Sequence, residues 1–239
     1  MINFAHRGAS SDYPENTILA FSEAIRLGAG GIELDVHKSK DNKLVVIHDE
    51  DIERTFVGKG LVKDYTLEEL KKFKNRKLLF KDNDECKIPT LEEVLKLFID
   101  NTVFLNIELK TDIIEYKDIE KDVIDLIYKY NMRDRVILSS FNHNSIVKCK
   151  EIDDEILTGA LYENQIEDVI NYAKELKVDA IHPDLRLVSR ELIEEAHKNN
   201  IKVNVYTVNN PIHMRMLIDA GVDGIFTDIF HLLNDIINK

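Results

Sequence analysis

The feature that most constrains the fold of this chain is a repeated alternation of short β-type runs with amphipathic helical segments. The β-type runs lie at residues 2–5, 31–36, 43–48, 103–109, 135–140, 156–161, 178–182, 201–207 and 223–227. Helical patterns between them include residues 16–28, 90–100, 117–130, 163–176, 189–199 and 210–220. This alternation predicts a parallel sheet, because parallel strands need the long crossover that a helix supplies. With 239 residues, close to the usual ~250, we predict an α/β fold of the (β/α)8 TIM-barrel type.

One β-type run is surplus to a closed eight-stranded barrel, and it is assigned to residues 43–48. Asp41 and Asn42 are the only clear turn residues between it and the preceding strand, too few for a parallel crossover. A two-residue turn at this place predicts an antiparallel hairpin in which Asp35 pairs with His48.

Residues 50–89 follow as a small, irregular insertion after this third strand. Thr66 and Thr90 each precede a Glu by three residues, which predicts two helices that begin with capping boxes. No linker-like or low-complexity stretch divides the chain, so we expect one domain over residues 1–239.

Charge restricts the class of partner. The formal net charge is −12, and an acidic protein is a poor nucleic-acid binder, because that affinity rests on Lys and Arg neutralising phosphates. The same charge argues against docking on an anionic membrane surface. No apolar run approaches the ~20 residues of a membrane-spanning helix, so no membrane insertion is expected. A small phosphorylated substrate stays compatible, because a local positive site in a cleft can override the global field.

The two cysteines, Cys86 and Cys149, are typical of reduced thiols in a reducing compartment, although a single disulfide stays open to the sequence. Residues 1–5 lead directly into the polar pair His6 and Arg7, which predicts no signal peptide. We therefore expect a cytoplasmic protein of undetermined oligomeric state.

Two strands carry acidic residues opposite an apolar face. Glu33 and Asp35 alternate with Ile, Leu and Val in one strand, and Glu108 and Lys110 do so in another. In a barrel, this alternation would direct three carboxylates into the mouth. Buried carboxylates need a counter-charge, and oxygen ligands favour Mg²⁺ or Ca²⁺, with Mn²⁺ as a further option. Two alternatives stay open: a half-solvated strand face, and a salt bridge between Glu108 and Lys110.

Two histidines end predicted strands beside these acids. His6 ends the first strand and precedes Arg7, and His48 ends the third. A pair of imidazoles can exchange protons with an attacking and a leaving oxygen, while Arg7 and Lys110 can hold phosphate oxygens. A structural role for either histidine is the alternative. The other histidines are taken as structural or surface residues: His37, His143, His182, His197, His213 and His231.

Taken together, these residues resemble the glycerophosphodiester phosphodiesterases along essentially the whole chain. The four motifs at the N-terminal end are specific as a set, whereas any one of them alone is weak. In chain order, the similar segments are His6-Arg7-Gly8, Pro14-Glu15-Asn16-Thr17, Glu33-Leu34-Asp35-Val36, His48-Asp49, Ile107-Glu108-Leu109-Lys110, Ser139-Ser140-Phe141, Val205-Tyr206-Thr207-Val208-Asn209 and residues 221–228.

The resemblance implies a barrel related to that of the phosphoinositide phospholipases C, with roles for particular residues. It implies a divalent metal at Glu33, Asp35 and Glu108, and it implies that His6 is the general base and His48 the general acid. Substrate binding is assigned to Arg7, Lys110, Glu15, Asn16, Phe141 and Tyr206, the two aromatic residues lying on the glycerol side. The family often has Trp at the position of Tyr206, which leaves substrate preference open.

The function implied is metal-dependent hydrolysis of a glycerophosphodiester to glycerol phosphate and an alcohol. The modest length of the insertion favours a small soluble substrate over a bulky lipid. The head group, the metal and the attacking group, water or the substrate's own hydroxyl, stay open. Alternatives are a lysophospholipase D-type phosphodiesterase, a catalytically silent barrel that binds phosphodiesters, and a metal-dependent sugar isomerase or aldolase, because fold does not fix function.

Overall fold

Eight parallel strands close into a barrel in the computed structural model, which describes residues 1–238. The strands are β1 (Ile2–Ala5), β2 (Gly31–Lys38), β3 (Leu44–Val46), β4 (Phe104–Leu109), β5 (Val136–Ser140), β6 (Leu157–Tyr162), β7 (Ala180–Pro183), β8 (Lys202–Val205) and β9 (Gly224–Thr227). The sheet order is β1-β9-β8-β7-β6-β5-β4-β2-β3, and a further pairing of β1 with β2 closes the barrel. The predicted TIM barrel is therefore confirmed.

Helices connect the strands on the outside of the barrel. They are α1 (Ile18–Arg26), α2 (Leu67–Leu70), α3 (Leu91–Lys96), α4 (Ile119–Lys129), α5 (His143–Ile152), α6 (Val169–Glu175), α7 (Arg190–Lys198), α8 (Pro211–Ala220) and α9 (Phe230–Ile237). Short 3₁₀ turns lie at Val62–Asp64, Leu78–Phe80, Asp84–Cys86, Arg133–Arg135 and Leu185–Leu187. The sequence patterns did not include α5 or α9, and they started α6 six residues too early.

Local sequence explains where several helices begin and end. Thr66 and Thr90 both form the predicted capping boxes at the starts of α2 and α3, with a Glu side chain returning to the cap backbone in each case. Gly221 ends α8 in the left-handed region at φ 87°, a conformation that costs glycine little.

The extra strand β3 lies outside the barrel and runs antiparallel to β2, as predicted, but the predicted register is wrong by one residue. Val36 lies opposite Val46, and the N–H of Ile47 donates to the carbonyl oxygen of Asp35 at 3.1 Å. Asp35 is therefore opposite Ile47 and not opposite His48.

The turn between β2 and β3 explains the shift, because it holds one residue more than predicted. The N–H of Ser39 donates to the carbonyl oxygen of Lys43 at 2.9 Å, which leaves three residues between them. Asn42, the last of the three, has φ 58° in the left-handed region, which asparagine tolerates better than most residues. The Ser39 hydroxyl also accepts the N–H of Lys43 at 2.9 Å.

The main core lies between the barrel wall and the helices. The alternation predicted for β2 and β4 is observed, since their apolar faces are fully buried in this core: Ile32, Leu34, Val36, Leu105, Ile107 and Leu109. The insertion has a small core of its own, which includes Ile52, Phe56 and Leu70, and Val45 of β3 and Ile47 directly after β3 belong to it. Strand β3 thus joins the insertion to the barrel.

Two further sequence expectations concern cysteines and membranes. Cys86 and Cys149 are free and buried. Among residues 1–238, no helix has both the length and the apolar character needed to cross a membrane.

The burial of apolar side chains in the main core can be tested with one substitution at a buried leucine and a control at an exposed leucine. We expect Leu34→Ala to lower the free energy of unfolding by about 2–5 kcal/mol, because Leu34 is fully buried and its loss leaves a cavity. Leu79→Ala, at a side chain that is 94% exposed, should change it by less than about 0.5 kcal/mol. Urea denaturation measures both, and equal effects would contradict the packing described.

Candidate active site

Three carboxylates meet at the mouth of the barrel, because β2 and β4 are neighbours in register. Asp35 lies opposite Glu108, and Glu33 lies two residues earlier on the same inward face of β2. One carboxylate oxygen from each residue lies within 4.8 Å of those from the other two, and all three residues are buried. The structure therefore brings together the three predicted metal ligands.

Each of the three carboxylates accepts a hydrogen bond from a neighbouring residue. The N–H of Arg7 donates to Glu33 Oε2 at 2.9 Å, Asn16 Nδ2 donates to Asp35 Oδ2 at 2.8 Å, and Lys110 Nζ donates to Glu108 Oε1 at 2.8 Å. The predicted salt bridge between Glu108 and Lys110 is thus present. It does not compete with a carboxylate cluster, because the same carboxylate also belongs to the cluster.

The electrostatics of the cluster are uneven. Burial and the charges of Asp35 and Glu108 raise the pKa of Glu33 well above its usual value, and burial together with Asp35 raises the pKa of Glu108. Burial also opposes ionisation of Asp35, but nearby cations outweigh it and lower the pKa of that carboxyl. Asp35 Oδ1 is buried and has no hydrogen-bond partner. Ionisation of all three carboxylates at once would therefore place more negative charge in the cluster than its protein partners neutralise.

His6 follows β1 and is oriented by an acid that follows the adjacent strand β9. Its Nδ1 lies 2.7 Å from Asp228 Oδ1, and its Nε2 lies 3.9 Å from Glu33 Oε2. Burial opposes the charge of Asp228, but the hydrogen bond from His6 lowers the pKa of Asp228 to about 2. An ionised carboxylate can only accept, so Nδ1 carries the proton and Nε2 faces the cluster.

His48 follows β3 and has the same kind of support from its neighbour in sequence. Its Nδ1 lies 2.6 Å from Asp49 Oδ1, which again leaves Nε2 free. The backbone is also held, because the buried His37 ring donates from Nε2 to the carbonyl oxygen of His48 at 3.1 Å. Tyr116 Oη lies 3.0 Å from the other His37 nitrogen. His37 is therefore a structural residue that fixes His48.

Arg7 lies between the carboxylates and the loop that leads to α1. Its backbone is in the left-handed region at φ 57°, an uncommon conformation for arginine that directs its N–H to Glu33. Its Nη1 donates to Glu15 Oε1 at 2.9 Å, and its Nε lies 3.6 Å from Asp35 Oδ2. Burial disfavours the charged guanidinium, but Asp35, Glu15 and Glu33 together raise the pKa of Arg7.

These groups surround a cavity of about 180 Å³. On one side, the rings of Phe141 and Tyr206 meet edge to face with centroids 5.8 Å apart, and Tyr206 Oη donates to the carbonyl oxygen of Tyr162 at 2.9 Å. The lining residues are His6, Arg7, Glu33, His48, Asn106, Glu108, Phe141, Leu161, Tyr206, Thr207 and Phe226. Four predicted site residues lie outside this lining and contact it instead: Asp35, Lys110, Glu15 and Asn16.

A family model, curated proteins and solved structures match this chain along most of its length. The family model for the glycerophosphoryl diester phosphodiesterase family matches residues 6–231. The chain belongs to this family. The glycerophosphodiester phosphodiesterase of Caldanaerobacter subterraneus subsp. tengcongensis is 43% identical over 235 residues, which cover 98% of this chain and 97% of that protein. That of Bacillus altitudinis is 40% identical, covering 94% and 93%.

Solved structures agree with the sequence relatives. A phosphodiesterase from Oleispira antarctica, in complex with the product sn-glycerol-3-phosphate, matches with a TM-score of 0.90 at 25% identity, covering 100% of this chain and 97% of that one. The glycerophosphodiester phosphodiesterase of Thermotoga maritima matches with a TM-score of 0.81 at 30% identity, covering 99% and 98%. The present chain is accordingly a phosphodiesterase enzyme that acts on glycerophosphodiesters.

Asn106 and Thr207 line the cavity but were not among the predicted site residues, and neither were three charged residues that support this phosphodiesterase site. Asp49 and Asp228 hold the two histidines, and Arg54 bridges Asp49 and Glu15. Asp49 and Asp228 each lie in a segment that carried the family resemblance, so their motifs could have identified them. Arg54 is inside the insertion, where no local pattern distinguishes it from other arginines.

The crowding of carboxylates predicts how the phosphodiesterase responds to losing one of them. With divalent ions removed by a chelator, we expect Glu33→Gln to raise the free energy of unfolding at pH 7 by roughly 1 kcal/mol, because it relieves charge repulsion at a buried site. The folded-state pKa of Glu33 lies above its unfolded value, so wild-type stability should rise as pH falls from 7 toward about 4, and the variant should gain less. Urea denaturation across this range measures both effects.

Glu194→Gln provides the control, because Glu194 is an exposed residue of the outer helix α7. It should leave this pH dependence unchanged. Destabilisation by Glu33→Gln under the same conditions would show that the cluster is already neutralised by its protein partners.

Proposed function

We propose that this phosphodiesterase hydrolyses glycerophosphodiesters to glycerol phosphate and an alcohol with a divalent metal ion and two acid–base histidines. The observation that carries the proposal is a cluster of three buried carboxylates beside two imidazoles, each of which has its Nδ1 held by an aspartate. The product complex of the Oleispira antarctica relative supports a glycerol phosphate product for this chain as well.

The donor set fits a divalent cation. Glu33, Asp35 and Glu108 offer only oxygen ligands, which suit Mg²⁺, Ca²⁺ or Mn²⁺. Asp35 Oδ1 has no protein partner although it is buried, and such an atom needs a cation or a donor. When bound, the ion supplies charge neutralisation at a phosphate oxygen and fixes the position of the substrate.

The positive side chains divide the work of holding the phosphate. Arg7 lines the cavity and carries a planar guanidinium that can bind two oxygens at once. Lys110 lies behind Glu108 and adds positive charge close to the cluster. Glu15 and Asn16 contact Arg7 and Asp35, so we assign them to orienting these residues and not to direct contact with the phosphate.

The histidines are suited to opposite proton transfers. We assign His6 as general base, because its Nε2 is the free acceptor and Asp228 stabilises the imidazolium that forms when it takes a proton. We assign His48 as general acid; in this role both ring nitrogens carry a proton, and His48 donates the one on Nε2 to the leaving alkoxide while its Nδ1 donates a hydrogen bond to Asp49. Both Nδ1 atoms are fixed in the same way, so the division of roles rests on the family resemblance.

Phe141 and Tyr206 form the apolar wall of the cavity, and we propose that they contact the glycerol part of the substrate. The Tyr206 hydroxyl is already bonded to the carbonyl oxygen of Tyr162, so the ring and not the hydroxyl faces the substrate.

The two buried free thiols support the cytoplasmic location expected from the sequence.

The metal assignment can be tested with three substitutions and a chelator. We expect Glu33→Ala, Asp35→Ala and Glu108→Ala each to abolish turnover, because each removes one of few hard oxygen ligands. A chelator should do the same to the wild type, and added Mg²⁺, Ca²⁺ or Mn²⁺ should reverse it. A coupled assay for glycerol 3-phosphate, run on glycerophosphodiesters with several head groups, measures turnover. Adding a lysophospholipid to these substrates tests the lysophospholipase D alternative. Full activity in excess chelator would contradict the metal assignment.

The two histidines should differ in their dependence on the leaving group. We expect His6→Ala and His48→Ala each to lower kcat by roughly 10²–10⁴-fold on a natural substrate, the usual range for a lost acid or base. A nitrophenyl ester of glycerol phosphate has a leaving group that departs without a proton. His48→Ala should therefore recover much of its activity on that ester, whereas His6→Ala should stay impaired. Recovery of His6→Ala instead would show that the two roles are reversed.

A further inference from the structure

Arg54, which belongs to the insertion, holds two acidic residues of the active site at the same time. Its Nη1 and Nη2 donate to the two carboxylate oxygens of Glu15 at 2.7 and 2.8 Å. Its Nε donates to Asp49 Oδ2 at 2.6 Å, and its Nη2 also lies 3.2 Å from Asp49 Oδ1. All three guanidinium nitrogens are thus used, in the forked geometry that arginine forms with carboxylates.

Both acids continue into the site. Glu15 Oε1 also accepts from Arg7 Nη1 at 2.9 Å, and Asp49 Oδ1 also contacts His48 Nδ1 at 2.6 Å. A continuous network of hydrogen bonds therefore runs from Arg7 through Glu15, Arg54 and Asp49 to His48. The two end members of this network, Arg7 and His48, both line the cavity.

Arg54 is the central member of that network, and its backbone is well anchored. Ile52 and Phe56, two residues away on either side, are buried in the small core of the insertion. The N–H of Phe56 donates to the carbonyl oxygen of Ile52 at 2.9 Å across the intervening turn. The position of the Arg54 side chain is therefore set by how the insertion packs on β3.

We propose that Arg54 is a positioning residue that fixes Arg7 and His48 relative to each other and so couples the insertion to the active site. This inference rests on the roles proposed above for Arg7 and His48. Without Arg54, the carboxylates of Glu15 and Asp49 each lose the partner that fixes their rotamer. Arg7 and His48 then lose the alignment that in-line displacement at one phosphate requires, although neither is itself altered.

A stabilising role alone is the competing explanation, and the exposure of the pair bears on it. The Arg54 side chain is 46% exposed, and exposed ion pairs usually contribute little to stability. A purely structural arginine would change the melting temperature and leave kcat and KM unaffected at temperatures well below unfolding. The kinetic constants therefore separate the two explanations.

The experiment compares Arg54→Ala and Arg54→Lys with the wild type and with Arg133→Ala in the metal-loaded enzyme. We expect Arg54→Ala to lower kcat by roughly 10–100-fold, the range seen when a supporting partner of a site residue is lost, and to raise KM. Arg54→Lys should recover only part of the activity, because an ammonium cannot hold two carboxylates in forked geometry. Arg133 pairs with Glu155 on the turn before β5, away from the cavity, and its substitution should leave kcat unchanged.

Double substitutions identify the route of the effect. Arg54→Ala should cause a smaller loss in an Asp49→Asn or a Glu15→Gln background than in the wild type, because it acts through these two carboxylates. An equal loss in all three backgrounds, or normal kcat and KM in Arg54→Ala, would overturn the positioning role. His48→Ala, measured in parallel, keeps the two proposals apart. If His48→Ala is impaired while Arg54→Ala is normal, only the positioning role fails. Normal kcat in His48→Ala would overturn both the acid role of His48 and the link between the network and that role.

Discussion

Electrostatic repulsion among three buried carboxylates is the constraint on which the site depends. Strand register in a parallel sheet is rigid, so Asp35 and Glu108 cannot separate without breaking the ladder between β2 and β4. Two protein cations reach the cluster, since Arg7 Nε lies 3.6 Å from Asp35 Oδ2 and Lys110 Nζ lies 2.8 Å from Glu108 Oε1, and they are fewer than the three carboxylates. A divalent cation held there, as proposed above, would balance that residual negative charge and would leave Arg7 to hold the phosphate.

The barrel could be predicted from the sequence because its pattern is repeated and local. Alternation of side chains along β2 and β4 is a property of any extended strand, and the burial of Ile107 and Leu109 follows from it. The register of the hairpin between β2 and β3 was predicted wrongly, because it depends on one turn residue. Asn42 adopts a left-handed conformation and adds a residue to the turn, and this choice depends on hydrogen bonds from Ser39 that the sequence pattern alone does not reveal.

The histidines and carboxylates were identifiable because each follows or lies within a strand, so the fold itself places them at one end of the barrel. The residues that orient them divide into two kinds. Asp228 belongs to a strand end, next to β1, and its contact with His6 follows from the pairing of β1 with β9. Arg54 belongs to an irregular segment whose path depends on its own small core, and that packing cannot be read from residue spacing.

The two histidines illustrate how different routes through the chain produce the same local chemistry. His6 is oriented from across the barrel closure by Asp228, whereas His48 is oriented by its immediate neighbour, Asp49. A carboxylate adjacent in sequence is less constrained than one on a neighbouring strand, because it can rotate with the loop that carries it. Asp49 therefore needs a second anchor, and the bidentate contact from Arg54 supplies it. Asp228 has a second contact as well, because its Oδ2 accepts from Asn209 Nδ2 at 2.6 Å, but Asn209 lies in the loop after β8 and not in the insertion. Family members that vary the insertion would for this reason be expected to change the support of the histidine after β3 while leaving that of the histidine after β1 intact.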